Sequence, residues 1–421
     1  MAPITVSAPM KQNAERPRDV RLDFFRGVCL MIIYVAHIWQ NPWSSFIPAR
    51  FGFSDATEIF VFCSGMASAV AFGSVFARRG VWVGAARVAH RCWQVYWSHV
   101  ATFLIVAALM VAADSWLATG GSYAAGLGLD RALGQHAGEM LLGLMTLTYV
   151  PNFFDILPMY MVVLAMLPLV VVVAQQDRRI AAMLLIAVWA VAATGALDLP
   201  AQPWLSREGL RKTWFFNPFS WQLIFFTGFA FMRGWLPAPT IDRRLMLACV
   251  GFVLLSVPLA WWPAIESSET LMAWSSQIAP LATKTHFGVL RFMHFLALAY
   301  IAYAAAGEQG KRLSGPVADV CRQLGQQSLA VFMSGLVLSF VASIVLNMSG
   351  RGFLAVAAVN LGGIGVLIVI ARIVAWFKSS PWLGERKPAV EAPVPAVGLP
   401  PVVTSPTLAA EQPMARTAAA A

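Results

Sequence analysis

Two apolar runs near the start of the chain carry ionisable residues that apolar sequence makes expensive. The first opens Arg21-Leu22-Asp23-Phe24-Phe25-Arg26-Gly27 and closes His37-Ile38-Trp39-Gln40-Asn41-Pro42. An ionisable group at mid-span costs about 2.5–3.5 kcal/mol on insertion scales, so each one calls for a reason. Asp23 and Arg26 are three apart and share a helix face, which suits either a local ion pair at a helix entrance or a functional pair. His37 lies roughly 21 Å further along a straight helix at 1.5 Å per residue. Neutral imidazole near pH 7 can take a proton from an attacking hydroxyl, so His37 reads as a general base; the plainer reading is an aromatic anchor at the water interface. The second run opens Gly52-Phe53-Ser54-Asp55-Ala56-Thr57-Glu58, with Ser54 as a suitable helix N-cap. Asp55 and Glu58 fall in its first turn, where they could orient His37 and fix its tautomer, or simply complement the helix dipole.

Further polar groups recur at the edges of later apolar runs. Arg87 and Arg91 are four apart and project together, so they could hold an anion bidentately, although a topological role for cations there is also expected. Asn41 follows His37, Asp155 stands before Ile156-Leu157-Pro158, Gln222 follows Asn217-Pro218-Phe219-Ser220-Trp221, and Arg291 and His294 share a face. With the surrounding Trp and Tyr these residues resemble a carbohydrate-binding vestibule, though interfacial aromatic belts alone place Trp and Tyr at that depth.

The elements that must position these groups follow from composition. Of 421 residues, 59% are hydrophobic and 12% charged, against about 25% charged in soluble domains. Such a chain cannot cover a water-facing surface, which excludes a soluble enzyme, a disordered protein and a disulfide scaffold. Apolar runs of roughly 18–22 residues suffice to cross about 30 Å of hydrocarbon. The fold class expected is all-α, a polytopic membrane bundle of about ten transmembrane helices over 22–40, 56–77, 92–112, 156–174, 180–197, 218–234, 245–262, 287–306, 327–347 and 353–376. The stretch 137–150 is apolar but short, and reads as an outer-face or re-entrant helix. Making it a span would invert the later loops and move the clusters Arg178-Arg179, Arg233-Arg243-Arg244 and Lys311-Arg312-Arg322 to the outside, against the positive-inside rule. Ten spans place both termini in the cytoplasm and most Lys and Arg on that side.

The net charge of +10 is therefore topological rather than a sign of nucleic-acid binding. The five cysteines are scattered without CxxC spacing, so neither a metal site nor a disulfide framework is expected. No cleavage signature follows the first run, which reads as a retained helix, and no internal repeat is visible. Three regions result: a polar N-terminus 1–19 expected to be disordered, a transmembrane domain 20–377, and a disordered Pro/Ala-rich cytoplasmic tail 378–421.

The run RLDFFRGVCLMIIYVAHIWQN followed by GFSDATEIFVFCSG resembles the OpgC family of bacterial inner-membrane proteins, and FFDILPMY, FNPFSWQL and RFMHFLALAY resemble further family segments. The resemblance covers about residues 19–377. That family is regarded as osmoregulated periplasmic glucan succinyltransferases, related to acyltransferase-3 enzymes. The resemblance implies a roughly ten-helix inner-membrane enzyme that moves an acyl group to an extracytoplasmic sugar hydroxyl. By similarity the matched positions are Asp23, Arg26, His37, Asp55, Glu58, Asp155 and His294; Thr57 stands where a small alanine is expected.

Residues and resemblance together give one expected layout. His37 with Asp55, Glu58 and Asp23 forms the catalytic set; Arg26, Arg87, Arg91, Asn41, Asp155, Gln222, Arg291 and His294 bind substrates. The donor is acyl-CoA, of which succinyl-CoA fits the family, and the acceptor is a periplasmic glucan or other extracytoplasmic carbohydrate. The lipid bilayer is the surrounding partner, and neither a metal nor a bound cofactor is needed. The rival readings are a transporter for a glucan or lipid-linked sugar and a structural subunit of a glucan-synthesis complex.

Overall fold

A computed structural model describes residues 19–129, 136–201 and 213–383. Of the end segments expected to be disordered, 1–19 and 378–421, residues 1–18 and 384–421 lie outside the described residues, while Asp19 caps the first helix and Lys378 ends the last one. The chain divides into two units, Met1–Lys378 and Ser379–Ala421. Of the second, only 379–383 is described, with a 3-10 turn at Pro381–Leu383.

The described residues are helical, with one isolated antiparallel bridge, Pro200 to Thr213. In chain order the helices are α1 Val20–His37, α2 Ala56–Leu117, α3 Ser122–Gly126, α4 Ala137–Thr146, α5 Ile156–Gln176, α6 Arg178–Ala193 and α7 Pro218–Arg233. Then come α8 Arg243–Ala260, α9 Trp262–Glu266, α10 Glu269–Ile278, α11 Val289–Ala306, α12 Pro316–Gln326, α13 Ser328–Ser349 and α14 Phe353–Lys378.

A helix lies over each of the ten predicted spans. Six of these helices, α2, α5, α8, α11, α13 and α14, are long and apolar enough to cross a membrane by length and composition. The other three differ for simple reasons. Helices α6 and α7 have 16 residues each, about 24 Å at 1.5 Å per residue. Helix α1 has 18 residues but concentrates Arg21, Asp23 and Arg26 in its first two turns. Helix α4, within the short apolar stretch 137–150, is 10 residues, about 15 Å, half a hydrocarbon core.

Helix α2 holds two predicted spans, separated by Gly80 at φ 80, ψ 177. That backbone is open to glycine and costly for other residues. The chain bends sharply there, because a Cβ on Gly84 would meet the Phe76 ring at 2.4 Å, a contact out of reach in a straight helix. Arg78 and Arg79 sit at the bend, exposed.

Much apolar surface faces outward. The most apolar stretch of α8 is only 6% buried, and Leu169, Leu255, Phe353 and Leu354 are 71–80% exposed. A contiguous apolar exterior on this scale needs a nonaqueous solvent, which a bilayer supplies. The inward core is built from Phe, Leu and Val of α1, the first arm of α2, α5, α7 and α13.

Glycines set the closest helix approaches. A Cβ on Gly65 would fall 1.9 Å from the Phe225 carbonyl oxygen, and one on Gly228 would fall 2.2 Å from that of Phe62, so α2 and α7 meet backbone to backbone. Gly27 and Gly325 do the same for α1 and α12, facing the carbonyls of Cys321 and Asp23. Helix α12 falls in a segment read from sequence as a plain basic loop.

Helix direction gathers the termini into two ends. At the Asp55 end, Trp261 after α8 packs 6.3 Å from Phe51 before α2, and Trp221 of α7 bonds the loop before α11. At the Gly80 end, Arg233 closing α7 lies on Gly73 of α2, and Arg21 of α1 stacks on Tyr303 of α11.

Candidate functional site

The Asp55 end carries a compact group of charges. Asp55, not Ser54, is the N-cap of α2: its carboxylate accepts from Thr57 N at 2.7 Å, while Glu58 accepts from Asp55 N at 2.7 Å, a complete capping box. Ser54 and Asp55 are both good capping residues side by side, so sequence alone could not choose between them. The remaining carboxylate oxygens turn to two cations. Asp55 pairs with Lys284 at 2.6 Å and with Arg291 at 3.6 Å; fully buried Glu58 pairs with Arg291 at 2.5 Å. Two carboxylates and two cations make a balanced cluster, the condition under which buried charge is tolerated. Burial works to raise the Asp55 acid, but Lys284 and Arg291 overcome it, and their charges with the Lys284 and Thr57 hydrogen bonds hold this carboxyl well below the usual carboxylate range.

Lys284 is delivered by the loop between α10 and α11, and that loop is firmly held. Trp221 Nε1 donates to the Lys284 carbonyl at 2.9 Å and Trp189 Nε1 donates to that of Phe287 at 3.0 Å. The ammonium also stands 5.6 Å over the Phe216 ring. Two residues on, His286 Nε2 meets Asp198 Oδ1 at 2.9 Å, and the same oxygen accepts from Asn217 Nδ2 at 2.8 Å. Asn217 in turn caps α7 by accepting from Phe219 N and Ser220 N.

His37 closes α1 at this end. Its Nδ1 lies 2.6 Å from the Ile33 carbonyl oxygen. A carbonyl only accepts, so Nδ1 bears the proton and Nε2 presents its lone pair. Phe153 packs 5.1 Å from it and is held at φ 74, a region unusual for a bulky residue. The expected role of Asp55 and Glu58 as direct partners of His37 is thus corrected. The Ile33 carbonyl sets its tautomer, and the carboxylates are turned to Lys284 and Arg291, because unpaired carboxylates at this depth would be far costlier.

His294 is buried on α11, one turn after Arg291. Ser54, released from capping, places Oγ 2.7 Å and its amide N 3.3 Å from His294 Nδ1. The amide can only donate, so His294 Nδ1 is the bare nitrogen. Gly52 makes room for the ring, since a Cβ there would meet it at 2.4 Å. Asp155 stands at the start of α5, two residues beyond Phe153.

The other expected site residues lie elsewhere or serve the fold. Asn41 is buried in a reciprocal pair with Asn360: it donates to Asn360 Oδ1 and the Val35 carbonyl and accepts from Asn360 Nδ2 and Trp43 N. All its hydrogen-bonding capacity is used, so it joins α1 to α14 and has none left for a substrate. Gln222 is fully buried, its Nε2 donating to the Leu185 carbonyl at 2.7 Å, which joins α7 to α6. Asp23 is buried at the opposite end of α1 from His37, so the two cannot touch the same reacting atoms. Arg26, beside it, donates to the Ser328 hydroxyl at the start of α13. Arg87 is exposed with no side-chain hydrogen bond or ion pair among the described residues, and Arg91 donates to Gln94 at 3.1 Å. Arg87 is exposed and Arg91 half-buried on the second arm of α2, whereas Arg26 on α1 is engaged with Ser328.

Sequence reading missed Lys284, His286 and Asp198. All three fall in connecting segments, where charged residues are unremarkable, and only the fold brings them to the start of α2 and α7. Chemically, the Asp55 end offers three imidazoles, His37 with a bare Nε2, His294 with Nδ1 on Ser54 and the carboxylate-bound His286, together with a balanced ion cluster.

Comparison with curated proteins and with solved structures gives no match. The profile of the OpgC protein family matches residues 18–379, which takes in every helix from α1 to α14. The chain is therefore a helical membrane protein that belongs to the OpgC family.

Proposed function

We propose that this protein is a membrane-embedded O-acyltransferase that moves an acyl group, succinyl in keeping with its family, from cytoplasmic acyl-CoA to a hydroxyl of a periplasmic glucan. In this reading the chain crosses the inner membrane ten times with both termini in the cytoplasm, and the Asp55 end faces the periplasm. The observation that carries the reading is His37: its Nδ1 is fixed on the Ile33 carbonyl, leaving Nε2 as the proton acceptor beside the Asp55–Lys284–Glu58–Arg291 cluster.

His37 Nε2 takes the proton of the glucan hydroxyl as its oxygen attacks the thioester carbonyl. The new C–O bond forms, the C–S bond breaks, and the CoA thiolate leaves with the proton returned from His37. No metal or bound cofactor enters this scheme. The ion cluster ties the start of α2 to the loop before α11 and to α11 itself, and so holds these elements in place at the end where His37 closes α1, the kind of positioning that proximity catalysis requires. Asp55 and Glu58 are positioning residues here, acting through Lys284 and Arg291.

The test is His37→Ala in purified, membrane-reconstituted protein supplied with labelled succinyl-CoA and glucan. Loss of at least 100-fold in label transfer is expected, the scale of general-base contributions. Undiminished transfer rules out the base role. Glucan movement across the membrane without donor consumption rules out the enzyme reading altogether.

A further inference from the structure

At the Gly80 end, a cleft of about 580 Å³ opens between the first arm of α2 and the adjoining ends of α5, α6 and α7. Three guanidiniums line it: Arg178 and Arg179 from the first turn of α6, and Arg233 from the last residue of α7. All three are exposed and none has an acidic partner among the described residues. The carboxylate of Asp177 also lines the cleft, but it caps α6 by accepting from Arg179 N at 2.6 Å. Formal charge in the cleft is thus positive, and the N-terminus of the 16-residue α6 adds to it.

Positive-inside topology explains why arginines sit at this end. It does not require two helices to aim three of them into one cleft with an aromatic wall of Phe76, Phe229 and Trp235. Nor does it require Gly73. A Cβ there would meet Arg233 Cδ at 2.8 Å and Nη1 at 2.9 Å, so the glycine lets this guanidinium lie flat on α2. Converging planar guanidiniums match phosphate oxygens bidentately, and basic pockets between transmembrane helices hold phosphorylated head groups.

We propose that this cleft is a binding site for the phosphate or diphosphate of an organic ligand, with Arg178, Arg179 and Arg233 on the anion and the aromatic wall against its apolar part. The ligand comes from one of two sources: an anionic phospholipid, or a soluble nucleotide-type phosphate such as that of a thioester donor. The inference goes beyond the acyl-transfer reading and does not rest on it. Direct passage from here to His37 between α2 and α7 is closed by the Gly65 and Gly228 contacts.

Binding, rather than turnover, tests it on the full-length protein. In one arm, protein in a zwitterionic detergent is titrated with ADP and with pyrophosphate by calorimetry. In the other, retention of phosphatidylglycerol against phosphatidylcholine is read by native mass spectrometry. Saturable binding in either arm is expected and identifies the source. The double variant R178Q/R179Q and the single variant R233Q should each weaken it at least 10-fold. Gly73→Ala should weaken it several-fold with every charge retained, by displacing Arg233. R78Q/R79Q, which removes as much charge at the same end but outside the cleft, should change it less than twofold. Absence of binding in both arms overturns the proposal. So does equal weakening by R78Q/R79Q and R178Q/R179Q, which would reduce the cleft to general surface charge. Because Gly73→Ala and R78Q/R79Q leave the cleft arginines in the chain, a failure of R233Q to fold still leaves the site testable.

Discussion

At the scale of single residues, the Asp55 end shows charge used for position. Glu58 is completely buried and depends on Arg291 for compensation. Arg291→Met should therefore destabilise the protein by about 3–5 kcal/mol, the range for stranding one partner of a buried pair. Adding Glu58→Gln to that variant should recover at least half of the loss. Thermal unfolding of the four members of the cycle gives the coupling, and strictly additive losses would show that the two side chains act independently. The sequence reading found five residues of this end, His37, Asp55, Glu58, Arg291 and His294, for one reason: each is ionisable in or beside an apolar run. A looser criterion, any polar side chain at the edge of an apolar run, brought in Asn41 and Gln222, because a polar residue that stitches two helices together inside a bundle carries the same signature as one that binds a substrate. It passed over Lys284, His286 and Asp198, which lie in connecting segments just outside the predicted spans and join this end only through the fold.

At the scale of elements, the helix positions were legible and their contacts were not. Apolar run length placed a helix over each predicted stretch, although 56–77 and 92–112 fall in one helix bent at Gly80 and six of the helices are long and apolar enough to cross a membrane. The pairing of α1 with α12 could not be read, because α12 is short and amphipathic and its partner is identified only by glycines. That contact is strict. A Cβ at Gly325 would lie 1.8 Å from the Asp23 carbonyl oxygen, and backbone cannot move aside as a side-chain tip can. Gly325→Ala should therefore lower stability by roughly 1–3 kcal/mol, the usual cost of overpacking. Gly362→Ala on α14, where a Cβ meets open space, should change it by no more than about 0.5 kcal/mol. Comparable melting shifts for the two would show that α1 and α12 are not in backbone contact.

At the scale of the whole molecule, the two ends have separate characters. One holds a buried ion cluster, aromatic packing and the imidazoles of His37, His286 and His294; the other holds the exposed arginines Arg178, Arg179 and Arg233, which have no acidic partner among the described residues, beside local ion pairs such as Arg21–Asp19. The proposed orientation puts the first outside the cytoplasm. Single cysteines in a cysteine-free background check it: Ser267→Cys, beyond α9 at the Asp55 end, and Ser314→Cys, before α12 at the Gly80 end. A membrane-impermeant maleimide should label the first in intact spheroplasts and the second only after the membrane is opened. The opposite pattern would invert the chain and place the arginine cleft outside.

The bend at Gly80 bears on assembly as well as on shape. Phe76 and Gly84 are near neighbours in the chain, so bringing them together closes a very short loop with little entropy to overcome. Loops of this size close in about 10–100 ns, long before distant helices such as α1 and α12 can find each other. The bend is thus among the first tertiary contacts open to the chain, and a substitution at residue 80 that disfavours positive φ acts on it before any distant pair of helices can compensate.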